Sequence, residues 1–155
     1  MIREFIEKFT KEEVIKDDDI YQLGTEWYRV PDALIGFKNL PRTPVWVGQF
    51  LGRERNKYLV PGKALLDAIA PVATKRVMVS DKAAWLFVCG KDVLQQSIIR
   101  VDGNPKSGEW VLVMQGMACI GFGEVQGALA DKTSIVKNLF DLGDFLRRER
   151  PTKPH

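Results

Sequence analysis

The sequence predicts an α+β protein of two small packed domains: an N-terminal α/β unit on an antiparallel sheet, residues 1–72, and a C-terminal pseudo-barrel, residues 73–155. Three observations carry that expectation. Apolar residues at helical spacing occur only in short runs, the first being Ile2, Phe5, Ile6 and Phe9. From Val77 onward, short β-prone runs alternate with glycine and proline, the pattern of a small, strongly bent sheet. Between the halves, Pro71 to Thr74 is short and contains no glycine or serine, so a rigid junction is expected.

In the first half, Arg3, Glu4, Glu7 and Lys8 fall between the apolar positions of the first helix. Their mixed sign argues for packing on a core and against a membrane surface. Thr10 and Glu13 have the spacing of a capping box, which predicts a second helical turn there. Asp17, Asp18 and Asp19 are adjacent, so their carboxylates diverge and lack the spacing of a calcium loop; a solvated helix exit is expected. Glu26 to Val30 alternates as a half-buried strand does. Asn39, Pro41 and Pro44 mark a loop, and Val45 to Val47 is β-prone. Gly48 to Lys57 contains glycines four apart and a basic group, but not the order of a phosphate loop; a hairpin with a charged tip is the simpler reading. Tyr58 to Val60 supplies the next strand, and Lys63 to Ala70 a helix closed by Pro71.

In the second half, Val77 to Val79 reads as a strand, and Asp81 as the cap of a helix from Ala84 to Cys89 that Gly90 ends. Ile98 to Val101, Trp110 to Met114 and Ala118 to Val125 are further strands, the last broken by Gly121 and Gly123. Reversals are expected at Asp102–Pro105 and at Gly108–Glu109. Ile120 to Gly123 holds a G-x-G, but it follows a strand and precedes no long helix, so a strand bend is expected. Leu139-Phe140 ends a strand. A helical turn follows, with Leu142, Phe145 and Leu146 turned inward, and Pro151 and Pro154 keep the tail extended.

Composition narrows function by exclusion. An apolar content of 45 % is that of a globular chain. No apolar run is long enough to span a bilayer and no secretory signal is visible, which predicts an intracellular, cytoplasmic protein, nucleolar in a eukaryote. Cys89 and Cys119 are expected as small core residues, and the single histidine is His155, so neither a metal site nor a histidine-based triad can be assembled. No cofactor loop is present, and no carboxylate pair stands out for hydrolysis. The expectation is a protein that is not an enzyme and holds no metal or cofactor. The net charge is +3. Residues 1–70 carry eleven Lys and Arg against eleven Asp and Glu, and residues 71–155 carry twelve against nine, so the whole excess lies in the second half. That bias suits a polyanion. Its densest part is Arg147, Arg148, Arg150 and Lys153, opposed only by Glu149; guanidinium forks match phosphate and stack on bases.

The apolar helix with Gly90-Lys91-Asp92-Val93-Leu94, then Gly108-Glu109-Trp110-Val111, then Ile120-Gly121-Phe122-Gly123 resembles the PUA domain, an RNA-binding module. With Ala64 to Pro71 upstream and Asp141 to Glu149 downstream, the layout resembles the Nip7 family of ribosome-biogenesis factors, at the length of its archaeal members. The resemblance covers Val47 to Glu149 and thins out towards the N-terminus. It implies a non-catalytic RNA-binding protein acting in pre-rRNA processing and large-subunit assembly, with single-stranded or looped RNA and other assembly proteins as partners, and neither DNA nor membrane. It places RNA contacts at Arg147, Arg148, Arg150 and Lys153, with Lys75 and Arg76 extending the surface. Arg53, Arg55 and Lys57 would meet RNA or a protein partner. Two other readings are open: an accessory subunit using the fold as a scaffold, favoured by apolar residues exposed on the first domain, or part of an RNA-modification enzyme, for which the first seventy residues are short.

Overall fold

The computed structural model describes residues 1–31, 48–144 and 147. They form two compact units, Met1–Val72 and Ala73–His155. The expected loop at Asn39 to Pro44 and strand at Val45 to Val47 lie outside the described residues, as do Phe145, Leu146 and the proline-containing tail.

The first unit opens with helix α1 (Ile2–Glu7), which buries Ile2, Phe5 and Ile6; Phe9 is buried just beyond it. No second helical turn follows. Thr10 does not pair with Glu13; its hydroxyl accepts the Glu12 N–H at 3.1 Å, a local turn that satisfies the donor without starting a helix. Asp17–Asp19 form a 3-10 turn and lead into strand β1 (Ile20–Leu23), which the sequence pattern did not announce. An ion pair from Arg3 to Asp17 fastens this turn to α1. Strands β2 (Glu26–Arg29), β3 (Gln49–Arg55) and β4 (Tyr58–Pro61) complete an antiparallel sheet in the order β1-β2-β3-β4. The expected hairpin is present: Arg55 faces Tyr58, and Asn56 and Lys57 both take positive φ, 50° and 67°. That is the backbone of a two-residue primed turn, whose twist suits the strands it joins. Helix α2 (Lys63–Ile69) buries Leu65, Leu66 and Ile69.

In the second unit, six strands order as β6-β10-β9-β8-β5-β7. They are β5 (Arg76–Val79), β6 (Val93–Leu94), β7 (Ile98–Asp102), β8 (Trp110–Gln115), β9 (Ala118–Gln126) and β10 (Ile135–Asp141). Pairing is antiparallel except between β5 and β8. The sheet curls as a half-barrel, with register shifts at Met78/Val79, Val113/Met114 and Asn138/Phe140. Helix α3 (Asp81–Val88) lies on its core face. Phe87, fully buried, packs there with Val77, Val79, Val111, Val113, Ile120, Val125 and Val136. On that face the valines alternate along the strands, as a period of two requires.

Three expectations change in this unit. The cap of α3 is Ser80, whose hydroxyl accepts the Ala83 N–H at 3.2 Å; Asp81 is the first helical residue and its carboxylate accepts from the Gln115 amide at 3.0 Å. Strand β9 is not broken at its glycines. They let it approach β10 closely: a Cβ at Gly121 would stand 2.1 Å from the Phe140 carbonyl oxygen, and one at Gly123 2.4 Å from that of Lys137. Finally, Cys119 is buried but Cys89 is exposed, because it sits at the C-cap of α3 on the face turned from the sheet.

Candidate nucleic-acid interface

Helix α3 has eight residues. Ala83, Ala84 and Phe87 point to the core, so the opposite stripe carries Lys82, Trp85, Leu86 and Cys89 outward. Trp85 is 67 % exposed and Leu86 41 %. A tryptophan held on a rigid helix with its ring in water is a ready stacking surface, and Lys82 stands one turn before it. Beyond the other end of the helix lies exposed Lys91. The sequence reading gave Trp85 no role; its helical offset from Phe87, which forces the two rings to opposite faces, was the available signal.

The end of α3 is built from several segments. Gly90, at φ +93°, lets the chain reverse: Lys91 N–H bonds to the Leu86 carbonyl at 3.0 Å and Gly90 N–H to that of Phe87 at 2.9 Å. The Val88 carbonyl accepts from the Arg147 guanidinium. That guanidinium also grips Asp141 with both nitrogens, at 3.0 and 2.7 Å. Asp141 is 98 % buried, and its carboxylate further accepts from Gly143 N–H at 2.9 Å and the Asn138 amide at 3.0 Å. Asn138 in turn donates to the Phe87 carbonyl at 2.9 Å, and its N–H bonds to Asp92 at 2.9 Å. The carboxylate beside it raises the pKa of Arg147, chiefly through their hydrogen bonds.

Of the basic residues expected to meet RNA, three are therefore engaged within the unit. Lys75 holds Glu109 at 2.6 Å. Arg76 holds Asp102 at 2.9 Å from the facing position of the neighbouring strand, and Arg100 holds the same carboxylate at 3.0 Å. These partners lower both acidic pKa values: a hydrogen bond from Arg100 dominates at Asp102, and one from Lys75 at Glu109. Arg147 is the third. Arg148, Arg150 and Lys153 lie outside the described residues. In the first unit, Arg53 and Arg55 are two apart on β3, hence on one face, and Lys57 is in the adjoining turn. Arg53 pairs with Glu26 at 2.5 Å yet stays 60 % exposed; Arg55 and Lys57 are exposed.

Among the described residues no group of three or more His, Cys, Asp or Glu could hold a metal ion, and no helix is long and apolar enough to cross a membrane. Residues 75–150 match the model of the UPF0113 PUA domain family. No curated protein matches the chain. Several solved structures share its fold. A PUA domain from Aeropyrum pernix K1, crystallised as a tartrate complex, is 14 % identical with a TM-score of 0.59, over 93 % of this chain and 83 % of that one. A conserved PUA domain protein from Thermoplasma acidophilum is 16 % identical with a TM-score of 0.52, over 85 % and 80 %. A hypothetical protein from Pyrococcus horikoshii OT3 is 15 % identical with a TM-score of 0.53, over 91 % of each chain.

Proposed function

We propose that this chain, whose residues 75–150 form a PUA domain of the UPF0113 kind, is a non-catalytic RNA-binding factor of the Nip7 type. PUA domains typically bind RNA. The observation that carries the reading is the outer face of α3, where Trp85 stands exposed beside Lys82. Single-stranded nucleic acid is held by cations along its backbone and aromatic rings under its bases, and the face supplies both. The targets are unpaired or looped segments of pre-rRNA during large-subunit assembly, in the cytoplasm, alongside other assembly proteins. The layout shared with Nip7-like sequences supports that role. An accessory subunit working through protein contacts would favour apolar side chains exposed on the first unit. Among the described residues there, Tyr58 is the large apolar side chain most open to water.

Gel shift with single-stranded, looped and fully duplex RNAs tests the binding, and mass spectrometry of the recovered nucleosides tests for chemistry. Preference for unpaired RNA with every nucleoside unchanged is expected. A modified base made by the pure protein would refute the non-catalytic reading, and equal, weak retention of all three RNAs would refute the stacking face. Crosslinking in cell extract, with the bound fragments sequenced, then tests whether pre-rRNA is the target.

A further inference from the structure

Four of the basic residues assigned to RNA lie near the C-terminus, and Arg147 is the first of them. Its surroundings are unlike those of a phosphate ligand. The guanidinium makes two bonds to Asp141 and one to the Val88 carbonyl, so three of its five donors are committed to the fold. Moving it to a phosphate would strip a 98 % buried carboxylate of the cation that pairs with it, a loss that far exceeds the gain from one solvated phosphate contact. The backbone is shaped around the same contact. A Cβ at Gly143 would stand 2.0 Å from the Val88 oxygen, and one at Gly90 3.4 Å from the guanidinium carbon. Arg147 N–H bonds to the Gly143 carbonyl at 3.0 Å, so the backbone that carries the side chain is tied to the same glycine that lies against the Val88 oxygen.

We infer that Arg147 is a positioning residue: through Asp141 and the Val88 carbonyl it ties the end of β10 to the end of α3, the helix that carries Trp85, while phosphate is met by other cations. This rests on the RNA reading given above. Its consequence separates it from simple electrostatics. Asp141→Asn removes a negative charge near the RNA, which by charge alone tightens binding. If Asp141 holds Arg147 in place, the same change weakens binding. Arg147→Lys keeps the charge but loses the two-pronged geometry.

The test uses the full chain and a short fluorescein-labelled single-stranded RNA of mixed sequence, titrated at several salt concentrations. Circular dichroism shows that each variant is folded. In parallel, the guanidinium resonances of Arg147 are followed in nitrogen-15-labelled protein without RNA. Asp141→Asn and Arg147→Lys are each expected to weaken binding about tenfold, with the slope of log affinity against log salt unchanged in both. The Arg147 guanidinium protons are expected to exchange slowly in the wild type and fast in Asp141→Asn. Tighter binding by Asp141→Asn, or full affinity retained by Arg147→Lys together with a slope about 0.7 shallower in Arg147→Ala, would overturn the inference. If the wild type binds no RNA, the RNA reading fails by itself. The resonances then decide the fastening: protection lost in Asp141→Asn upholds it, and fast exchange in the wild type overturns it.

Discussion

Tyr28 and Glu26 show how two side chains on one strand link stability to pH. Tyr28 is buried, and its hydroxyl donates to the Glu26 carboxylate, which Arg53 also holds. Burial first, and then that hydrogen bond, push the Tyr28 pKa from 10.0 up to about 12. A raised folded-state pKa means that the contribution is complete below the unfolded value and fades as pH rises through the folded one. Stability of the first unit should therefore fall between pH 10 and about 12, and Tyr28→Phe should flatten that fall. Glu26 behaves oppositely. The Tyr28 hydroxyl, then Arg53, lower its pKa, so its contribution is present above the ordinary carboxylate range and fades as pH drops through the lowered value. Urea titrations across both ranges, on wild type, Tyr28→Phe and Glu26→Gln, check both signs. Glu26→Gln should lose the acid arm.

At the scale of elements, β9 and α3 carry the consequences. Gly121 serves packing: its missing Cβ makes room for the Phe140 carbonyl oxygen and for the edge of the Phe87 ring, 2.8 Å from where that Cβ would lie. Gly121→Ala must push β10 or Phe87 aside, and the cost of such overpacking is about 1–3 kcal/mol or more. A drop in melting temperature of several degrees is expected, read by calorimetry. On α3 the outer face should behave differently. Trp85→Ala removes an exposed ring, so stability should move by less than about 0.5 kcal/mol. Stacking of a base on an aromatic ring contributes about 1–3 kcal/mol, so affinity for single-stranded RNA should fall roughly fivefold to a hundredfold. Unchanged affinity would remove Trp85 from the interface.

For the molecule as a whole, the useful quantity is the number of phosphates neutralised. The second half holds the entire charge excess, yet Lys75, Arg76 and Arg147 are bound to carboxylates of their own unit. Replacing Arg148, Arg150 and Lys153 together by alanine should flatten the salt slope by about two, at roughly 0.7 for each phosphate contact with a single strand. Melting temperature, measured alongside, separates a lost contact from a lost fold. Replacing Arg55 and Lys57 in the hairpin of the first unit tests the other basic group. A larger loss of slope there would move the interface to that hairpin.

The order of strands and helices was legible in the sequence wherever local rules decide it. Short β-prone runs marked Val77 to Val79 and Trp110 to Met114, Pro71 closed α2, and Gly90 closed α3. Even the charged hairpin at Arg55 to Tyr58 followed from composition. Errors arose where two local devices compete for the same residues. Thr10 could cap a helix or close a turn, and Ser80 and Asp81 could each cap α3; the outcome depends on which neighbour reaches the spare donor. The site was less legible, because a basic residue looks the same in sequence whether it faces phosphate or a buried carboxylate. Arg147 meets a carbonyl 59 residues earlier in the chain, and Arg76 meets a carboxylate 26 residues later. What the sequence determined by itself was periodicity, punctuation and the sign of the charge, all properties of neighbours. Only the tertiary structure decided which charges are already neutralised and which ring faces water, because burial and ion pairing join residues that the chain holds far apart.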